Sequence, residues 1–91
     1  MKRPVKTHTF HGRRYKIDIE PDGLHGECDA YHIGEKDRKI GIYIDPATKK
    51  GLITIIHECL HAEDWHASEE AVDRTSAEIG NFLWRLGYRL K

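Results

Sequence analysis

The chain has 91 residues, with fifteen Lys plus Arg against fifteen Asp plus Glu and a formal net charge of zero. A length of this order closes one core and no more, so a single domain over 1–91 is expected, small enough that a metal or a partner would help to stabilise it. The balanced charge supplies no field toward nucleic acid or an anionic membrane, and no apolar run approaches the roughly 18 residues of a membrane span.

Met1-Lys2-Arg3-Pro4-Val5-Lys6 is basic but polar sequence follows it, which is not the pattern of a secretory signal. Thr7 to Ile19 carries Tyr15, Ile17 and Ile19 in alternation with Lys16 and Asp18 after the break His11-Gly12-Arg13-Arg14, and this predicts a hairpin. Glu20-Pro21-Asp22-Gly23 is a turn tetrad, with Gly23 expected to take a positive φ. Glu27 to His32 is a weak strand. Arg38 to Asp45 is a strong one, because Ile40, Ile42 and Ile44 line one face that should lie against a helix. His8, His11 and His25 fall in polar, turn-rich sequence and read as solvated surface residues.

The second half reads as two helices. Asp45-Pro46 offers an N-cap and a first-turn proline, Gly51 weakens the first turn, and a helix over about 51–64 follows. Its apolar residues Leu52, Ile53, Ile55, Ile56, Leu60 and Ala62 spread too widely for a surface helix, which makes it the central one. A second helix is predicted over 68–86, capped by Ser68, charged by Glu69 and Glu70 in its first turn and stopped by Gly87. Val72, Ser76, Ile79, Leu83 and Leu86 should form its core-facing stripe. The expected fold is therefore α+β: a small antiparallel sheet, a motif helix and a C-terminal amphipathic helix.

His57-Glu58-Cys59-Leu60-His61 is an H-E-x-x-H sequence inside the first helix. Residues four apart on a helix have β-carbons about 5 to 6 Å apart on one face, so His57 and His61 can share a tetrahedral Zn2+. Glu58 stands at the edge of that face, where a general base can take a proton from a water that zinc activates. Burying two histidines and a glutamate on so apolar a helix without a cation would be costly.

A third ligand is required, and Glu69 is the choice, since it continues the stripe of the second helix by one step toward its amino terminus. Asp73, one turn further and flanked by the small residues Ser76, Ala77 and Gly80, is the nearest competitor. Glu70 points elsewhere. His66, five residues beyond His61, is a weaker rival and better suited to line the cleft, while Trp65 reads as a core or hinge aromatic. Cys28 and Cys59 are expected as reduced thiols of a cytosolic protein.

With Thr54 to Ala62 and a carboxylate on the following helix, the chain resembles the gluzincin-like metallopeptidases. More closely, it looks like the small phage-encoded zinc metallopeptidases, and less closely like the phage-repressor-cleaving and SprT-like peptidases. The resemblance runs from about Gly26 to Tyr88. It implies a short sheet, a motif helix and a second helix that supplies the third ligand, with the strand Arg38 to Asp45 as the cleft edge for an extended peptide. Tyr43, Tyr88 and His66 are the candidate donors to a developing oxyanion. The expected function is zinc-dependent hydrolysis of a protein or peptide substrate, with no nucleic acid or membrane partner. The alternative is a non-catalytic, zinc-stabilised interaction module, and DNA binding through Arg13, Arg14 and Lys16 is a third reading.

Overall fold

The structure is a computed structural model that describes residues 5–30, 33–34 and 36–90. The basic residues 1–4, residues 31 and 32 of the weak strand reading and the terminal residue 91 lie outside the described residues. Four strands, β1 (Thr7–Phe10), β2 (Arg13–Ile19), β3 (Asp22–Cys28) and β4 (Lys39–Ile44), precede two helices, α1 (Lys49–Glu63) and α2 (Glu69–Leu86). The α+β class expected from the sequence is the observed one.

The hairpin β1–β2 closes on His11 and Gly12, which have φ of 50° and 73°. Two successive residues with positive φ are what a tight turn needs to follow the right-handed twist of its strands. At the tip, the His11 N–H donates to Glu63 Oε2 over 2.9 Å, tying the hairpin to the end of α1.

The sheet is mixed, not antiparallel. Its order is β1-β2-β4-β3, with β2 and β4 parallel and β3 and β4 antiparallel. Glu20 and Pro21 carry the chain across the end of β4, where the Glu20 N–H donates to the Ile42 carbonyl over 2.9 Å, and β3 then returns along the other side. The burial of β4 explains this arrangement. Ile40, Ile42 and Ile44 are buried on the face that meets α1, and so apolar a strand is most stable inside the sheet, with ladder bonds to both β2 and β3. The expected turn at Asp22-Gly23 is accordingly corrected: both residues are already strand, and Gly23 is not among the glycines with positive φ. A side chain there would instead run into the Tyr43 carbonyl.

Ile40, Ile42 and Ile44 join Tyr15 and Ala62 in the core, with Phe10, Ile17, Cys28 and Ile55 against them. Each such isoleucine contributes on the order of 1.5–3 kcal/mol by leaving water. Arg38 is buried at the end of this core, its guanidinium 4.9 Å from the Tyr15 ring centroid and donating to the carbonyls of Arg14 and Ile33.

Helix α1 starts at Lys49, two residues before the expected position 51, and its N-cap is Thr48 and not Asp45: Thr48 Oγ1 accepts from the Gly51 N–H over 2.9 Å. Gly51 is buried against the Asp45 carbonyl, so it serves a close approach. Helix α2 has the expected Ser68 cap, whose Oγ accepts from the Ala71 N–H. It ends with Gly87 at φ 100°, where the Gly87 N–H donates to Trp84 O and the Tyr88 N–H to Leu83 O. The expected core stripe of α2 needs one correction. Val72, Ser76 and Gly80 are the buried row, whereas Ile79 and Leu86 face solvent. Gly80 fits directly against Ile53 of α1, and this close contact draws the buried row onto an i, i+4 spacing.

Candidate metal centre

The face of α1 that carries His57 and His61 meets the first turns of α2. His57 Nε2 and His61 Nε2 are 3.1 Å apart; Glu69 Oε1 lies 2.9 Å from the first and Glu69 Oε2 3.0 Å from the second. Together these three side chains form a group whose donor atoms all lie within 4.8 Å of one another. Bonds of about 2.0–2.1 Å to a tetrahedral zinc imply donor separations of roughly 3.3 Å, so the triangle is nearly one face of such a tetrahedron.

Asp73 occupies a different position. Its Oδ1 lies 3.2 Å from Nδ1 of His57, on the far side of the ring from Glu69. A carboxylate there accepts the Nδ1 proton and leaves Nε2 with its lone pair outward. The Nε2 lone pair then faces the Glu69 carboxylate at 2.9 Å. Two acceptors at that distance attract only with positive charge between them, as an imidazolium proton or a cation. The chemistry of this donor set, two imidazole nitrogens and a carboxylate, is the set zinc takes.

Glu58 is 6% exposed and points from α1 toward β3. Room for it comes from Gly26, where a β-carbon would lie 3.0 Å from Glu58 Cγ and 2.8 Å from Thr54 Cγ2. Burial pushes the Glu58 carboxyl up to about 7; His57 pulls against that, and Glu69 and Glu27 add to it. Burial likewise raises the Cys28 thiol to about 12 and Cys59 to about 11, and neither cysteine is bridged.

Two depressions adjoin across this centre. One of about 410 Å³ is lined by Cys28, His61, Trp65, Ala67 and Glu69, the other of about 280 Å³ by Leu24, His25, Ile53 and Thr54, and both share Gly26, His57 and Glu58. They make one groove along β3. Comparison of the chain with protein-family models, with curated proteins and with solved structures finds no match.

Several residues around the centre take places other than those expected. Trp65 is a partly exposed residue of the groove, 37% accessible, its ring centroid 6.0 Å from that of His61. The strand Arg38 to Asp45, expected as the cleft edge, corresponds to β4, an interior strand; the edge beside the centre is β3. Tyr43 lies away from the centre, since it alternates with the core isoleucines and its hydroxyl donates to Glu27 over 3.0 Å, with Asp18 Oδ2 at 3.4 Å. Tyr88 lies just past the far end of α2, about 27 Å along the helix from Glu69. His66 sits in the α1–α2 connection outside the three-residue group. His25, read as a solvated surface histidine, is exposed but lines the groove. Gly26 and Cys28 line the groove, which the sequence did not reveal, although a glycine inside a strand marks a close approach.

Proposed function

We propose that the protein is a zinc-dependent hydrolase, a metallopeptidase that cleaves peptide bonds, with His57, His61 and Glu69 as metal ligands and Glu58 as general base. The observation that carries this reading is the triangle of His57 Nε2, His61 Nε2 and the Glu69 carboxylate with the buried Glu58 beside it. Zinc, when bound, supplies the Lewis acid that polarises a substrate carbonyl and acidifies water. Asp73 holds the proton of His57 on Nδ1, which keeps Nε2 available as a ligand. Glu58 would accept the proton of the attacking water and pass it to the leaving amine, a role its buried position beside the three ligands suits. Strand β3, at the sheet edge, offers backbone donors and acceptors to an extended substrate lying in the groove.

The rival reading, a zinc-stabilised module without activity, has less support. Closed structural zinc sites use four protein ligands, while the group found among the described residues has three, with an uncommitted carboxylate next to it. Among the described residues no helix is long and apolar enough to cross a membrane, and the proposed setting is the cytoplasm.

The test is cleavage of a peptide library by the zinc-loaded protein, read by mass spectrometry. The wild type should cleave, and Glu58→Gln should bind zinc one to one yet cleave about 100- to 10,000-fold more slowly. Undiminished cleavage by Glu58→Gln would move the base elsewhere, and loss of zinc from it would make Glu58 a ligand.

A further inference from the structure

Three large apolar side chains of α2 have no role in the core or the groove. Ile79, Phe82 and Leu86 are 41%, 59% and 58% exposed, and at spacings of three and four they share one side of the helix. Exposed Glu78 and Arg85 flank this stripe. They are seven residues apart, two helical turns, and so lie along the same border of it. Neither has an ion-pair partner among the described residues.

We propose that this stripe is a homodimer interface in which α2 packs antiparallel against α2 of a second copy of the chain. The charges favour a second copy because the stripe complements itself. A two-fold axis near Phe82 reverses the partner helix. Glu78, four residues before the axis, then meets Arg85, three residues after it, and the same pair forms again on the other side. Phe82 packs at the axis, with Ile79 of each copy near Leu86 of the other. A parallel pairing would carry this border to opposite sides of the seam in the two copies, so neither Glu78 nor Arg85 would meet its opposite charge and both ion pairs would be lost. The antiparallel arrangement also opposes the two helix dipoles. Glu69 stands thirteen residues, about 20 Å, from Phe82, so the metal centre is remote from the seam.

Sedimentation velocity of the full chain at about 100 µM should give a dimer, a concentration at which a dissociation constant of about 10 µM or below leaves most chains paired. Phe82→Glu should be monomeric with an unchanged circular dichroism spectrum. Glu78→Arg and Arg85→Glu should each weaken the dimer by about tenfold or more, because each replaces both ion pairs by like-charge contacts. Mixing those two variants should restore dimers, because a chain with only positive charge on this border then meets a chain with only negative charge, and both cross-seam pairs become attractive again. A folding defect within one chain cannot be repaired by mixing. A monomeric wild type, or an equimolar mixture that stays monomeric, would overturn the proposal.

Discussion

Glu69 and Asp73 stand one turn apart on α2 and address opposite nitrogens of the same imidazole. Their chemical roles differ accordingly, although the two carboxylates differ by only one methylene. In the proposed site Glu69 would bind directly a cation that His57 and His61 would also hold, and an amide in its place is a poor ligand for a divalent metal. Asp73 acts through His57, fixing its tautomer and ring orientation. Asp73→Asn should therefore weaken zinc binding by about 10- to 100-fold, the usual effect of losing such a support, and Glu69→Gln should weaken it further. Competition against a chromophoric chelator measures both, and the opposite order would transfer the ligand role to Asp73.

At the level of elements, the approach of α1 to α2 sets the geometry of the centre, because the two histidines ride on one helix and Glu69 on the other. Gly80 controls that approach. A β-carbon there would lie 2.5 Å from Ile53 Cγ1, and Ile53 Cα and Cβ at 3.3 and 3.4 Å leave little room for the side chain to move aside. In an open helix interior Gly→Ala gains about 1 kcal/mol, but overpacking a tight contact costs about 1–3 kcal/mol, so the contact should prevail. Gly80→Ala is expected to lower the melting temperature by about 4–8 °C for a net loss near 1 kcal/mol, and to weaken zinc binding as Glu69 shifts outward. Asn81→Ala, exposed on the same helix, should do neither. A Gly80→Ala protein more stable than wild type would show that the helices can part without cost.

For the whole molecule, a bound cation would join the sheet-facing helix α1 to α2 in a chain with a small core. Zinc present at 100 times its dissociation constant stabilises the folded state by about 2.7 kcal/mol. Chelation should then lower the melting temperature by roughly 10–20 °C for a domain of this size. His57→Ala should show a similar loss and no further response to chelator. An unaltered melting curve in both experiments would refute the metal assignment.

What the sequence determined by itself was local. Helix α2 was legible almost to the residue because Ser68 and Gly87 cap it through contacts made within a few residues of themselves, and the hairpin β1–β2 because His11-Gly12 must turn tightly between alternating strands. The spacing of His57 and His61 follows from the helical repeat alone, and Glu69 followed from the continuation of an amphipathic stripe. What only the tertiary structure decided depended on neighbours distant in the chain. The parallel pairing of β2 with β4 depends on which strands flank the isoleucine strand, and a single alternating stretch fixes its own buried face but not its neighbours. For the same reason β3 and not β4 became the groove edge, Gly26 proved to be the space into which Glu58 fits, and Ile79 and Leu86 turned outward while Gly80 took the buried position. Periodicity gives the direction in which a side chain leaves its own element, whereas the partner it meets there is set by how the elements pack.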